Sequence, residues 1–600
     1  MSLTLLDWTI IALSLLVCFV PALFFGRRAG KDTSEFFASG RAVPWWLAGL
    51  SMVATTFSSD TPNLVTDIVR RDGVAGNWVW WAFVLTGMST VFFYARLWRR
   101  SSVLTDLEFY EIRYSGRPAS LVRGFRALYL GLFYNCMIMA TVNLAAVKIA
   151  GILFGLDRWQ TLLMVGSLNV VFASYAGLWG VLVIDMIQFF IKMSAVIAAA
   201  YFAVMAPQVG GLTALMDKLA ERRGPGGLDY TSLLPDFTSN WELAVAVFIM
   251  PVAVQWWAVW YPGSEPGGGS YIAQRMLASR TEKDALRSVL FFNIAHYVLR
   301  PWPWILVGLA SLIVYPELYD IQTAFPNLDS TLLGHDIAYP AMLRFLPAGF
   351  AGLMVGGLIA ANSSTILTHL NWGASYLVHD FYRRFIRDTA DEQHYVRVGR
   401  LVTIGLFVAS SGTVYLLDTA RDAFGVILQI GAGTGLLYLV RWFWWRVNAW
   451  CEIAAMTSSL LVSIVLLIAA RNGLVVSAHA GLLITVIVTT ICWVAAAYLA
   501  PPTDRETLIA FYRLVRPVGP GWEPIRREAG NLPPSTDDNI PVALIGWFAG
   551  CLSVWSALFT TGTLLYGRLT EGLMLGAVFI ISAATLAWAM RNAWPDNVSR

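Results

Sequence analysis

Residues 44–69, PWWLAGLSMVATTFSSDTPNLVTDIV, begin as an apolar helix and then place TTFSSDTPN where a bilayer is driest. Hydroxyls, a carboxylate and a proline in that position are too costly for a lipid-facing helix, because no water is there to bond them. Such a run is tolerated where a broken helix lines a buried site, as in secondary transporters. The pattern predicts two half-helices separated by an unwound stretch, or else a helix kinked at Pro62 whose Ser and Thr bond back to the backbone. The first reading, which also accounts for Asp60, points to ion-coupled transport.

Composition supports that setting. The chain is 57% hydrophobic and only 13% charged, against about 25% charged in soluble domains. Apolar runs of roughly 20 residues recur from end to end, so the sequence reads as an all-α polytopic membrane protein. About fifteen spans can be drawn through it. The net charge of +4 is too small to mark a nucleic-acid surface. The five cysteines, Cys18, Cys136, Cys451, Cys492 and Cys551, lie in or beside apolar runs without CxxC spacing and read as core thiols. The first 25 residues have no basic n-region and read as a retained span.

Lys and Arg concentrate in the loops after odd-numbered spans, as in Arg27, Arg28 and Lys31, then Arg96, Arg99 and Arg100, then Arg383, Arg384 and Arg387. That bias predicts an external N-terminus and a cytoplasmic C-terminus in the cell membrane. Thr503 to Arg516, TDRETLIAFYRLVR, has acidic residues in its first turn and Leu508, Phe511, Tyr512 and Val515 on one face. It predicts a capped amphipathic helix in the membrane interface, followed by a linker rich in Pro and Gly. No GxxxxGK[ST] is present, which argues against ATP-driven transport. No HExxH or nucleophile–base set argues for an enzyme.

Four polar features lie inside apolar runs. In the first span of interest, unwinding would free the carbonyls of Ala54 through Phe57 as cation ligands, with Asp60 at the positive end of the second half-helix. Asn362, Ser363, Ser364 and Thr365 form a knot in GLMVGGLIAANSSTILTHL. Its hydroxyls suit a small hard cation, or bond back to carbonyls one turn away. Gln255 stands among Trp256, Trp257, Trp260 and Tyr261, an arrangement expected of an organic-solute pocket or of an interfacial aromatic belt. Asp185 and Gln188 face a bundle interior in SYAGLWGVLVIDMIQFFIKM, as an ion relay or a hydrogen-bond hub. Arg300 and Lys148 read as snorkelling residues, and His296 and His369 as satisfied core histidines.

FFASGRAVPWWLAGLSMVATTFS, ASYAGLWGVLVIDMIQ and YIAQRMLASRTEKDA together resemble the sodium:solute symporters, in the right order and across about residues 30–445. The resemblance implies a leucine-transporter-like core of two inverted five-helix repeats, plus one N-terminal and four C-terminal spans. It divides the chain into an extra span (1–30), two repeats (31–207 and 208–445), two accessory spans (446–500), the cytoplasmic helix and linker (501–540) and two final spans (541–600). It implies a sodium ion held by the carbonyls of Ala54, Phe57 and Ala361 and the hydroxyls of Ser364 and Thr365. A second sodium would use Asp185 and Thr368, although Leu367 stands where some relatives carry a hydroxyl. The expected solute pocket is drawn from Thr56, Asp60, Trp80, Trp81, Asn135, Gln255, Trp256, Trp257 and Gln429. An insertion around PGSEPGGG separates this chain from the sugar transporters, so no sugar specificity carries over. The expected function is sodium-coupled symport of a small polar organic solute. A non-transporting solute sensor and a proton-coupled symporter are the alternatives.

Overall fold

The computed structural model describes residues 3–24, 31–258, 266–326, 328, 332–417, 433–473, 476–530, 532 and 539–593. Among these residues the backbone is helical, with one isolated bridge between Val43 and Ser279. Among the described residues, eleven helices are long and apolar enough to cross a membrane, and two shorter apolar helices accompany them. Gln429, and Trp260 and Tyr261 of the aromatic cluster, lie outside the described residues.

The helices that position the site begin with α1 (Leu5–Leu23), α2 (Trp45–Thr55) and α3 (Asp60–Asp72). The next are α4 (Val74–Ser101), α5 (Gly116–Phe154) and α6 (Arg158–Val204). After them come α7 (Trp241–Ala258), α8 (Ser270–Ala278), α9 (Glu282–Val314), α10 (Phe350–Ile386) and α11 (Glu392–Leu416). The C-terminal part supplies α12 (Ala449–Arg471), α13 (Ala478–Leu499), α14 (Arg505–Val515), α15 (Ile540–Leu565) and α16 (Leu569–Asn592).

The run Arg158–Val204, α6, consists of two helices joined at a sharp kink. Gly177 turns the chain with φ 59° and ψ −169°, a conformation open to glycine at no steric cost. Beyond the kink α6 packs along α10. A Cβ on Gly357 of α10 would lie 2.7 Å from Ala195 Cβ, so glycine sets this close helix approach.

Helix α1 is tied to the start of α10. Asp7 Oδ1 accepts from the backbone N–H groups of Gly349 (2.8 Å) and Gly352 (2.7 Å), donors that the first turn of α10 leaves free. Asp7→Ala is expected to destabilise the protein by about 1–2 kcal/mol, the usual worth of such a cap. Thermal melting followed by tryptophan fluorescence reads this, and an unchanged midpoint would remove the cap's role.

The amphipathic helix forms where expected, with Asp504 accepting from Thr507 N. Its apolar face turns onto protein rather than lipid. Phe511 packs on Trp522 (5.5 Å between centroids) and Phe109 (5.8 Å), and Arg113 lies 4.7 Å over the Trp522 ring. The segment after it supplies the buried Trp522 and a short helix, Glu523–Glu528, so part of the expected linker is ordered structure.

Candidate functional site

The break falls between Thr55, the end of α2, and Asp60, the start of α3. Ser58 Oγ donates to the Asp60 carboxylate, which sits in the first turn of α3 where the helix dipole favours it. Ser59 Oγ ties the break to α5 through Val142 O at 3.0 Å. Helix continuation is replaced by side-chain bonds, as the hydroxyl-rich sequence allows.

Two carbonyls at the break meet a side chain, although Ala54 O also accepts from Phe57 N at 3.1 Å. Lys192 Nζ, on α6, donates to Ala54 O (2.8 Å) and Phe57 O (3.1 Å), and it lies 5.2 Å from the centre of the Phe57 ring. The lysine is 1% exposed.

The polar knot of α10 packs directly on the first half of the broken helix. Thr365 Oγ1 donates to Thr55 O (2.7 Å) and lies 3.3 Å from Ala361 O, while the Thr55 and Thr368 hydroxyls are 3.0 Å apart. Ser364 Oγ and Ser51 Oγ both donate to Asp185, each at 2.5 Å. Arg275, from α8, lies 3.8 Å from Asp185 and donates to Ser51 Oγ (3.2 Å) and Thr368 Oγ1 (2.9 Å). Thus the residues expected around a second cation surround a guanidinium. Asn362 is spoken for elsewhere, bonded to Asn143 and Asn169.

On the other side of the break, Thr56 Oγ1 lies 3.0 Å from His296 Nδ1 and accepts from Arg300 Nη1 at 3.1 Å. Arg300 also donates to Val53 O (3.3 Å) and to the His296 ring. Its guanidinium is covered by Phe57 and Trp304. Trp80 stands 5.9 Å from His296, with its Nε1 donating to Asn77. Thr56, Asp60, Thr61, Trp80 and His296 are only half-buried inside an otherwise closed core, which marks accessible space beside the break.

The other expected pocket residues divide. Gln255 reaches Val79 O at 3.3 Å, next to Trp80. Thr86 donates to Trp256 O (2.6 Å), and the Trp256 ring faces Trp547 of α15. Trp257 bonds back to Ala253. Trp81 turns away from the break to Phe559, with Trp555 Nε1 donating to its carbonyl. Asn135 is consumed by His369, which it meets through Oδ1 and through the backbone carbonyl. Lys192, Arg275, His296 and Arg300 were absent from the expected site. Of these, His296 lies in a π turn, Ala295–Leu299, of the kind that often marks a functional position.

A broken helix clasped by polar residues of a neighbouring span, within an all-helical bundle, defines a membrane transporter. The chain belongs to the sodium:solute symporter family, whose profile matches residues 36–461. Its relatives include a sodium/glucose cotransporter of Vibrio parahaemolyticus, 24% identical over 72% of this chain and 78% of that protein. They also include the sodium/sialic acid symporter SiaT of Proteus mirabilis, 24% identical over 75% and 86% respectively. A solved Na+-coupled sialic acid symporter, in a substrate-bound outward-open state, shares the fold with TM-score 0.63 and 19% identity, covering 84% of this chain and 99% of that one. The protein is therefore a multi-pass membrane transporter of a family that couples small solutes to sodium, and not an enzyme.

Proposed function

We propose that this chain is a secondary active symporter that uses a sodium gradient to move a small polar solute bearing a carboxylate, by alternating access. The observation that carries this reading is the break at Thr56–Ser59, with half-buried polar groups on one face and the Ser364–Thr365 knot of α10 on the other. The relatives include carriers of a neutral sugar and of an anionic one. Around this break stand Lys192, Arg275 and Arg300 against Asp60 and Asp185, and an excess of buried positive charge favours the anionic class.

The fuller architecture follows from the same reading. α2–α3 and α7 are the paired interrupted helices of two inverted repeats, α7 being disturbed by π turns at Val245–Ile249 and Pro251–Gln255. We place the N-terminus outside, the C-terminus in the cytoplasm, and about fifteen spans between them. The six segments delimited by residues 30, 207, 445, 500 and 540 stand as proposed from the sequence. The cation donors are Ala54, Phe57, Ala361, Ser364 and Thr365. The solute contacts are Thr56, Asp60, Trp80 and His296, with Gln255, Trp256 and Trp257 at the rim.

The test is uptake into proteoliposomes with a tenfold inward sodium gradient. Sugar acids, amino acids, dicarboxylates and neutral sugars would be compared. A carboxylate solute is expected to accumulate up to about tenfold per coupled sodium, since a tenfold gradient supplies about 1.4 kcal/mol. Uptake confined to neutral solutes would overturn the substrate class. Uptake indifferent to the gradient would overturn the coupling.

A further inference from the structure

The carbonyls that a sodium ion would need at the break already hold a cation belonging to the chain. Lys192 donates to both Ala54 O and Phe57 O, and the aromatic face of Phe57 lies beside its ammonium. Ser364 Oγ donates its proton to Asp185 and Thr365 Oγ1 donates to Thr55 O, so both hydroxyl oxygens keep lone pairs for a cation. It is the two carbonyls that the ammonium occupies.

We propose that Lys192 is a tethered cation that holds the principal sodium site of this transporter and competes with sodium for it. The inference rests on the symporter reading and concerns the regulation of the same site. Two unit charges about 4 Å apart at the effective dielectric of a protein interior repel strongly enough to weaken binding roughly 1000-fold. Sodium and the ammonium therefore cannot share the carbonyls, and sodium enters only as Lys192 leaves.

The lysine is placed for such an exchange by its helix. Asp185, Gln188 and Lys192 lie three, four and seven residues apart, on one face of α6. The Gly357 contact brings that face against α10. Gln188 is fully buried, yet neither its Oε1 nor its Nε2 has a hydrogen-bond partner among the described residues. An idle amide one turn from Lys192 gives a displaced ammonium an acceptor in an otherwise dry region. The charged groups acting on Lys192 are Asp185 from its own helix and Arg300 from α9, with the Cys18 thiol on α1 beyond them.

The exchange has a mechanical consequence. When sodium departs, the Phe57 carbonyl is recapped rather than left bare in the membrane, where an unsatisfied carbonyl is costly, while Ala54 O also keeps its bond from Phe57 N. The broken helix stays tied to α6 as the empty carrier returns.

The experiment reads sodium binding on the purified full chain without any solute. Tryptophan fluorescence, from 26 tryptophans, follows the melting midpoint as sodium chloride replaces potassium chloride at constant ionic strength. In Lys192→Ala and Lys192→Met the half-saturating sodium concentration is expected to fall at least about tenfold, within the roughly 1000-fold ceiling set by the repulsion. Lys192→Arg keeps a cation at the site and is expected to bind sodium as weakly as the native protein. Adding Ser364→Ala and Thr365→Ala to Lys192→Met should abolish the gained response. Sodium binding no tighter in both Lys192→Ala and Lys192→Met than in the native protein would overturn the proposal. So would a gained response that survives loss of the two hydroxyls. Failure of every solute to be taken up would sink the transport reading instead, and leaves this readout intact.

Discussion

Asp185→Ala is expected to lose solute uptake entirely and to show the largest drop in melting temperature of any substitution at this site. Asp185 is wholly buried. Both of its oxygens accept hydroxyl bonds, from Ser364 and Ser51, so it joins α10 and α2 through α6. It is also the carboxylate that faces Arg275 at 3.8 Å and acts on Lys192. Removing it leaves two cations in the membrane interior without that countercharge. Breaking a buried pair from one side costs about 3–5 kcal/mol, a large part of a protein's total stability.

Asp185→Asn keeps the shape and one acceptor, so it should retain the fold better than alanine while still losing uptake. Asp185→Ala combined with Arg275→Met removes the stranded charge and should recover part of the lost stability. That recovery is the signature of a direct pair rather than of two independent losses. Melting and uptake on the three variants decide it. A native midpoint in Asp185→Ala, or additive losses in the double variant, would remove the pair from the argument.

The break itself was legible in the sequence because its physics is local. TTFSSDTPN offers the backbone bonds that an α-helix cannot use, and the structure ends α2 at Thr55 and begins α3 at Asp60. The knot at Ser364 and Thr365 was legible for the same reason. What occupies these groups was not legible. Lys192 stands in the apolar run QFFIKMSAVI, and nothing local reports a carbonyl 135 residues away. His296 was missed because its π turn alters the register from which a facing residue is inferred. Trp80 and Trp81 show the opposite limit. Neighbours on a helix point about 100° apart, so one faces His296 and the other faces Phe559. The sequence had no way to choose between them before the position of α15 was known.

Arg300 carries the second large effect, and its direction is unusual. Its guanidinium is fully buried, bonded to Val53 O, Thr56 Oγ1 and His296, with no carboxylate partner among the described residues. A charge kept in that state is expensive, and intramembrane charges are retained where they serve a pathway or a ligand. The aromatic faces of Phe57 and Trp304, 5.7 and 5.4 Å away, offset only part of the cost. Buried as it is, Arg300 acts on a solute by its field and by holding Thr56 and His296, not by contact. At about 6 Å and an effective dielectric of 20 a unit charge contributes about 3 kcal/mol to an anion. Arg300→Met should therefore weaken a carboxylate solute by roughly 100-fold, with little effect on its neutral analogue. Its melting temperature should hold or rise, because an uncompensated buried charge has gone. Arg300→Lys keeps the field but loses the planar fork that grips Thr56 and Val53, and should fall between the two. The charged and neutral forms of one solute, titrated against each variant, separate this account from a purely structural role. Equal losses for both forms would mean that Arg300 shapes the pocket without selecting charge.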